Sequence, residues 1–343
     1  MTASRIVSRR CAGPFTVVAI LACLMPAAAA AGRNQASGEG DPTTLRFSWP
    51  ASLFARVSFE NVRVRVDGDR RSRLASRGVY TLTTEALPEG VASAGGALRV
   101  RITDMAVEVD GPAGREPGLQ SLIARAAAAY PDYIVGRGGA IVRIAGVRAL
   151  RNALFRNLDD QPLALTAARR DRVREVLERA LDERVLRARL GEQWYAQVGA
   201  WAGATLEPGR RYAVRTSAPV SLLGGAAVPL ETTFEYRGGV GCEKDHALSA
   251  RACVSLRMRS RVDGAKVRPV LAEIVARLAK EKKVAISIYG LSIVRTVTVV
   301  TEPDTLVPHR VEIEKRTELD IGEGKRRARR VRMDRQALRY LYR

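Results

Sequence analysis

Apolar and polar residues alternate with a period of two along much of the chain, a pattern typical of half-buried β-strands. It is longest in residues 311–321, where one set of alternate positions is mainly apolar and the other is wholly polar. A strand with one polar face belongs to an antiparallel sheet, because parallel strands are usually covered on both faces. Further strands are predicted at 62–66, with the valines as its apolar side, and at 98–109, 212–223, 228–236, 254–259, 284–300 and 338–342.

The alternation changes parity at two places, and each change predicts a β-bulge. Apolar residues occupy even positions before Asp104 and odd positions after it. A similar switch occurs near Glu60 and Asn61. Because a bulge bends and twists its strand, two of them predict a curved sheet.

A helical pattern interrupts the strands between residues 117 and 204. Apolar residues recur every three to four positions over 166–191, which predicts the longest helix, with Gly191 as its C-terminal stop. Trp194, Val198 and Trp201 have the spacing of a buried helical stripe, which we interpret as core packing. Shorter helices are predicted at 119–129, 148–158, 192–202 and 265–280.

Strands, a helical block and strands again indicate an α+β fold. We predict a large curved antiparallel β-sheet, half-barrel-like, with a central helical block packed on it. Residues 1–31 are interpreted as a signal peptide, 32–43 as a flexible tether and 44–343 as a single domain. Within this domain we expect N-terminal strands at 44–116, a helical insertion at 117–204 and C-terminal strands at 205–343, with one helix at about 265–280.

The predicted architecture is similar in outline to bacterial periplasmic carriers of lipids and lipoproteins, in which a bent antiparallel sheet cups an apolar cavity beneath helices. The similarity lies in fold class and in no shared motif, and fold class alone does not define function. The bent strands, the helical block and the basic surface favour the hypothesis of a non-enzymatic protein that holds an apolar or amphiphilic ligand between the concave sheet face and the helices.

The N-terminus has the pattern of an export signal. Arg5, Arg9 and Arg10 precede an apolar stretch at 15–25, and small residues at 27–31 suit signal peptidase. We therefore predict export to the periplasm or cell envelope, with cleavage near Ala31. No apolar run of eighteen residues follows, so no internal transmembrane helix is expected.

A second interpretation of the leader involves lipidation. Residues 20–23, Ile-Leu-Ala-Cys, resemble a bacterial lipobox, whose cysteine would become a lipid anchor at Cys23. The apolar stretch continues past this cysteine, which favours ordinary cleavage, and the lipoprotein remains the alternative.

Two cysteines, Cys242 and Cys253, remain once the leader is removed. In an oxidising compartment such an isolated pair predicts a disulfide bond. The alternative is a metal site formed by Cys242, His246 and Cys253, which lacks a fourth ligand and the tight spacing of common zinc motifs.

The chain is strongly basic, with 57 lysines and arginines against 36 acidic residues and a net charge of +21. A surface with this excess attracts anionic partners. Because we expect export, the candidate partners are an anionic envelope polymer or membrane surface, and no nucleic acid is expected. The candidate anion-binding patch lies in the densest basic segment of the chain. The alternative interpretation is that this segment is a solvated edge strand, protected from pairing by its charges. This patch consists of Arg326, Arg327, Arg329, Arg330 and Arg332.

Catalytic signatures are missing from the sequence. The two histidines, His246 and His309, are too far apart for a zinc-protease motif, and there is no nucleophile elbow or P-loop. We therefore predict no enzyme and no cofactor. The leading hypothesis is an envelope protein that binds an apolar or amphiphilic ligand. The alternative is an interaction protein that binds a partner protein or an anionic polymer through its basic surface. The sequence leaves the oligomeric state open.

Overall fold

The structure is a computed structural model that describes residues 41–343 except 89–95, 112–116, 161–173, 176–177, 179–181, 221–225, 243–251, 263–266, 274, 277–285 and 324–325. The leader, the tether up to residue 40, Cys23 and His246 therefore lie outside the described residues. Half of the predicted helix at 166–191 and parts of the helix at 265–280 also lie outside them.

Thirteen strands are described, and eleven of them form one antiparallel sheet. They are β1 (Thr43–Thr44), β2 (Phe54–Asp67), β3 (Arg70–Leu87), β4 (Ala97–Val109), β5 (Asp132–Gly136), β6 (Ile141–Ala145), β7 (Thr205–Leu206), β8 (Arg211–Val220), β9 (Ala226–Val240), β10 (Cys253–Val262), β11 (Ile286–Thr301), β12 (Pro308–Glu323) and β13 (Arg326–Tyr342). The sheet order is β6-β5-β4-β3-β2-β13-β12-β11-β10-β9-β8, and β1 pairs with β7.

The predicted large antiparallel sheet is confirmed, but helices contribute less than the predicted α+β fold implies. Strands account for 59% of the structure and helices for 21%, so the fold is mainly antiparallel β. The last strand, β13, lies in the middle of the sheet between β12 and β2, so it joins the C-terminal strands to the N-terminal ones. The alternative of a solvated edge strand at the C-terminus is therefore wrong.

The helices are α1 (Pro117–Ala128), α2 (Val147–Asp160) and α3 (Glu183–Trp194), and α3 continues into a π-helical turn, Tyr195–Gly199. Residues 267–273 are also helical, within the range predicted for the C-terminal helix. The segment 117–204 is not wholly helical, because it contains the hairpin of β5 and β6. Among the described helices, none has the length and apolar character needed to cross a membrane.

The expected helix end at Gly191 is wrong, because this glycine lies inside α3. Helix α3 begins after Asp182, within the range predicted for one continuous helix. The carboxylate of Asp182 accepts hydrogen bonds from the N–H groups of Arg184 and Val185 at 2.9 and 3.3 Å. Such an N-cap satisfies backbone donors that a helix start leaves unpaired. Burial of Trp194 favours continuation past the glycine, since tertiary packing outweighs intrinsic propensity.

The two predicted bulges have different outcomes. Val79 pairs with Ala106 and Thr81 with Thr103, so two residues of β4 lie opposite one of β3, and Asp104 has a φ of 52°. This bulge is confirmed. Near Glu60 the pairing of β2 with β3 is continuous, and the predicted second bulge is absent from that ladder.

The parity switch near Glu60 has another cause. Asn61 is buried and its amide donates to the hydroxyl of Ser76 at 3.4 Å. Because side chains alternate along a strand, Arg63 lies on the same face as Asn61, and the valines at 62, 64 and 66 lie on the opposite face. The sequence pattern therefore assigned the wrong side of this strand to the interior.

Two apolar clusters pack on one face of the sheet, which we call the inner face. The main cluster joins the sheet to the helices and includes Val297, Ile313 and Leu338 together with the predicted core residues Trp194 and Trp201. The second cluster consists of Val228, Val267, Leu271, Leu291 and Ile293, and it packs the helical segment 267–273 on the sheet. Leu319 is half-buried against this second cluster.

Candidate functional site

A row of polar side chains crosses the inner face between the two apolar clusters. The strand register places Arg295 of β11 opposite Lys315 of β12, and Lys315 opposite Asp334 of β13. Asp334 accepts a hydrogen bond from Nε of Arg63 of β2 at 2.5 Å. The row extends over six strands and consists of Thr232, Ser260, Arg295, Lys315, Asp334 and Arg63.

Helix α3 adds two charges to this row. Arg295 donates to the carboxylate of Glu192, and the guanidinium of Arg189 interacts electrostatically with Arg63 and Arg332. Nε of Arg332 donates to Oδ2 of Asp334 at 2.7 Å. We call the charged set the cationic belt, and it consists of Arg63, Arg189, Arg295, Lys315 and Arg332 with the carboxylates Glu192 and Asp334. Five cations against two carboxylates give an excess of three positive charges.

The belt runs from the interior to the solvent. The side chains of Arg63 and Asp334 are 12% and 5% exposed, and that of Arg295 is 16% exposed. Glu192 and Arg332 are 50% and 37% exposed. The belt is therefore open to solvent at Glu192 and Arg332, and its other measured side chains are less exposed.

The pKa values follow from this crowding. Burial raises the pKa of Asp334, but the attraction of Arg63 and Arg332 and their hydrogen bonds outweigh it and hold the pKa below its usual value. Burial lowers the pKa of Lys315, as does repulsion from Arg295 and Arg332, while Glu192 and Asp334 oppose the shift. Burial and nearby arginines likewise lower the pKa of Arg189. Burial is the main cause of both lowered pKa values, and repulsion between the cations of the belt adds to it.

A buried amide lies beside the belt. Gln336 is the next residue on the inner face of β13 after Asp334, and it is 1% exposed. Neither its Oε1 nor its Nε2 has a hydrogen-bond partner among the residues that the structure describes. Buried polar groups are normally hydrogen-bonded, so an unsatisfied one requires an explanation such as a ligand or an ordered water.

A second buried amide lies in the π-helical turn. Gln197 is 8% exposed, and its Oε1 accepts a hydrogen bond from the hydroxyl of Tyr340 at 3.3 Å. Its Nε2 has no partner within the described part of the chain. Single π-helical turns are frequent at functional sites, and this one directs a polar side chain into the main cluster.

The predicted anion-binding patch is divided between the two faces of β13. On the outer face, Arg327 donates to Asp320 at 3.3 Å and Arg329 donates to Glu318. On the inner side, Arg330 donates to Asp67 at 3.1 Å and Arg332 belongs to the belt. The side chain of Arg326 lies outside the described part, although its backbone pairs with Glu323. Anion binding by the whole patch stays a prediction.

The predicted disulfide between Cys242 and Cys253 is present, with an S–S distance of 1.94 Å and a Cα–Cα distance of 5.1 Å. His246, the third ligand of the alternative metal site, lies outside the described residues. The other histidine, His309, lies beside the disulfide instead, and no sequence pattern indicates that proximity.

A trough of about 420 Å³ opens on the opposite face from the predicted ligand cavity. It is lined by residues of the successive strands β13, β2, β3 and β4, and its charged walls are Glu60, Arg77, Glu108 and Arg339. Nε of Arg77 donates to Glu108 at 2.8 Å, and both side chains are well exposed. Two acids balance two bases, so the trough offers no charge selectivity comparable to that of the belt.

Fold and site together define a mainly β protein whose open antiparallel sheet has a cationic belt on its helix-covered face. No family model matches the chain, and no curated protein matches it either. A solved structure described as lipid-protein interactions in lipovitellin is similar, with 10% identity and a TM-score of 0.39 over 85% of this chain. The chain spans about a quarter of that protein's chain, 25%.

Proposed function

We propose that this protein binds an anionic amphiphile on the inner face of its sheet, with the anionic head group on the cationic belt. The observation that supports the proposal is the excess of three positive charges among partly buried side chains. Burying charge that is only partly balanced is costly, and an anion would relieve that cost at Lys315. Gln336 would then donate a hydrogen bond to the same head group.

The apolar surroundings support a ligand with a hydrocarbon part. On one side of the belt lie Val297 and Ile313 of the main cluster, and on the other side lie Leu291 and Ile293 of the second cluster. A polar head on the belt would place an attached chain against one of these apolar groups. Sites of this kind are mostly apolar with a few placed polar groups.

The alternative, an interaction protein that uses its basic surface, has less support. On the outer face of β13, Arg327, Arg329 and Arg335 each pair with a carboxylate. Exposed pairs of this kind leave little uncompensated charge for a polymer or partner. We therefore propose a binding protein without enzymatic activity, and the belt as its site.

Replacing Lys315 by Met should weaken binding of an anionic amphiphile at least about tenfold, which corresponds to about 1.4 kcal/mol. Titration calorimetry with decyl phosphate as the probe measures the effect. The matched control is Arg316→Met, because Arg316 is the next residue of β12, lies on the outer face and pairs with Glu318. Both changes remove one positive charge, and the control should alter the affinity less than about twofold.

Two results would contradict the proposed site. Equal weakening by Lys315→Met and Arg316→Met would show that only net charge matters. Equal affinity of the wild-type protein for decyl phosphate and for an uncharged decyl maltoside would remove the role of the anionic head group.

We also propose that the protein acts outside the cytosol. The basic and apolar leader and the disulfide Cys242–Cys253 support this location. Mass spectrometry of the protein isolated from its native cells should find a mature N-terminus near residue 32. A retained leader would contradict export, and a diacylated Cys23 would identify a lipoprotein instead.

A further inference from the structure

A cluster of metal-binding side chains lies where β12 begins and β9 and β10 meet. Sγ of Cys242, Sγ of Cys253 and a ring nitrogen of His309 all lie within 4.8 Å of one another. Cys253 and His309 are fully buried, and Cys242 is half-buried. The cluster is far along the chain from the belt residues of α3 and β2, and the proposed binding function does not use it.

The loop between β11 and β12 fixes the orientation of the histidine ring. Nε2 of His309 lies 3.2 Å from Oε1 of Glu302, and the hydroxyl of Thr305 donates to Oε2 of the same carboxylate at 2.8 Å. The N–H of Leu306 donates to the carbonyl of Glu302 at 2.9 Å. Each carboxylate oxygen thus has a defined partner, and the carboxylate is positioned to accept a proton from Nε2.

This carboxylate–histidine pair is the arrangement that usually supports a metal ligand. A histidine that binds a metal commonly donates its other ring N–H to a carboxylate, which sets the tautomer and increases the basicity of the ligating nitrogen. With the proton on Nε2, the lone pair is on Nδ1. The ring of Tyr342 lies against His309, with ring centres 5.5 Å apart, and restricts its rotation.

We propose that the dithiol form of the protein binds Zn²⁺ through Cys242, Cys253 and His309, with the fourth position open to solvent on the side of Cys242. Thiolate and imidazole are the ligands that zinc prefers, at about 2.3 and 2.0–2.1 Å. A tetrahedral site then requires ligand atoms roughly 3.5–3.8 Å apart. To reach this geometry the two sulfurs would have to separate, and the histidine nitrogen, which lies within 4.8 Å of both, would have to approach them by roughly 1 Å.

The disulfide and the metal site are alternative states of one cluster. Zinc binding displaces the two thiol protons, and each sulfur contributes an electron pair to the metal. An external disulfide takes two electrons from the dithiolate and is reduced to two thiolates, while the Cys242–Cys253 bond forms and Zn²⁺ is released. The cluster would therefore release its metal when it is oxidised.

Cobalt is a suitable spectroscopic probe, because Co²⁺ accepts the same ligands as zinc. The full chain is reduced with a phosphine under anaerobic conditions, freed of metal and titrated with Co²⁺. We expect one equivalent to bind with a thiolate-to-cobalt charge-transfer band and the intense visible bands of a tetrahedral site, and Zn²⁺ to abolish both. The oxidised protein, which is the same chain with its disulfide intact, should show neither band.

Variants test the individual ligands. His309→Asn should weaken Co²⁺ binding and change the visible bands, and Glu302→Gln should weaken binding about tenfold while leaving the bands unchanged. Circular dichroism of each metal-free protein verifies folding. The proposal is overturned if the reduced wild-type chain is folded and shows no charge-transfer band. It is equally overturned if the chain unfolds on reduction, or if His309→Asn binds Co²⁺ like wild type.

Discussion

Replacing Asp334 by Asn should destabilise the protein by about 3–5 kcal/mol, because the change leaves buried cations without their counter-ion. Asp334 is 5% exposed and pairs with Arg63 and Arg332 at 2.5 and 2.7 Å. It also lies opposite Lys315 in the register. The substitution keeps the shape of the side chain, so lost charge and not lost packing accounts for the effect. Denaturant unfolding measures it.

The matched control for this change is Asp320→Asn. Asp320 lies on the neighbouring strand β12, faces outward and pairs with Arg327 at 3.3 Å, with side chains 31% and 64% exposed. Exposed pairs contribute little, so the control should cost no more than about 0.5–1 kcal/mol. A loss at Asp334 as small as that at Asp320 would show that the belt is not electrostatically coupled.

A second substitution tests whether repulsion between the cations of the belt causes the loss of stability in Asp334→Asn. Lys315→Met in the Asp334→Asn background should recover about 1 kcal/mol or more of the lost unfolding free energy, because it removes a cation that has lost its partner.

Decyl phosphate should bind Asp334→Asn more tightly than wild type, since the belt then has an excess of four positive charges instead of three. Such opposite effects on stability and binding would link the charge excess to the proposed ligand.

The same carboxylate gives the stability a defined pH dependence. The pKa of Asp334 is lower in the folded protein than its usual value. The contribution of the Asp334 carboxylate to the free energy of unfolding is therefore complete above its pKa in the unfolded chain, about 4. It is lost as the pH falls through the lower pKa of the folded protein. The difference in unfolding free energy between wild type and Asp334→Asn should narrow over that acidic window.

The strands were largely predictable because their surroundings follow the simple rule of one apolar and one polar face. In residues 311–321 one face is mainly apolar and the other wholly polar, and the structure places Val311, Ile313 and Leu319 inside as the pattern indicates. The bulge at Asp104 was equally visible, because it changes the parity of apolar positions on either side of it.

The belt was not predictable because it violates that rule. Arg63 and Arg295 occupy inward positions, and a period-two reading assigns arginines to solvent. Their burial depends on partners far along the chain, Asp334 at 271 positions and Glu192 at 103. One signal was present: Lys315 interrupts an otherwise mainly apolar set of positions. A charged residue at an inward position usually indicates function or strain.

The candidate metal cluster was likewise only partly predictable from the sequence. Cys242 and Cys253 are close in sequence, so their pairing followed from local spacing. His309 reaches them only because β9, β10 and β12 share one sheet, and no spacing rule connects residue 253 with residue 309. The nearby His246 was the natural candidate on sequence separation alone.

Trp194→Ala should lower the free energy of unfolding by about 3–5 kcal/mol and should also weaken ligand binding at the belt. Trp194 is 7% exposed and packs against Phe47, Trp49 and Tyr133 at centroid distances of 6.2, 5.2 and 5.9 Å. Its indole N–H donates to the carbonyl of Gly139 at 2.7 Å. The change therefore leaves a cavity and a buried carbonyl without its donor.

The position of Trp194 explains why binding should suffer as well. It ends α3, the helix that carries Arg189 and Glu192, and its bond to the β5–β6 turn fixes that end of the helix on the sheet. A displaced helix would separate Glu192 from Arg295 and change the charge around the head group. Tyr195→Ala is the control, because this neighbour is 50% exposed and should cost less than about 0.5 kcal/mol.

Denaturant unfolding and decyl phosphate titration of both variants, made where each is still folded, separate the two effects. We expect Trp194→Ala to lose stability and affinity together, and Tyr195→Ala to retain both. If Trp194→Ala loses stability but binds decyl phosphate as tightly as wild type, α3 does not contribute to the site. The ligand would then contact only the strand residues of the belt, and Arg189 and Glu192 would have to be assigned to helix docking alone.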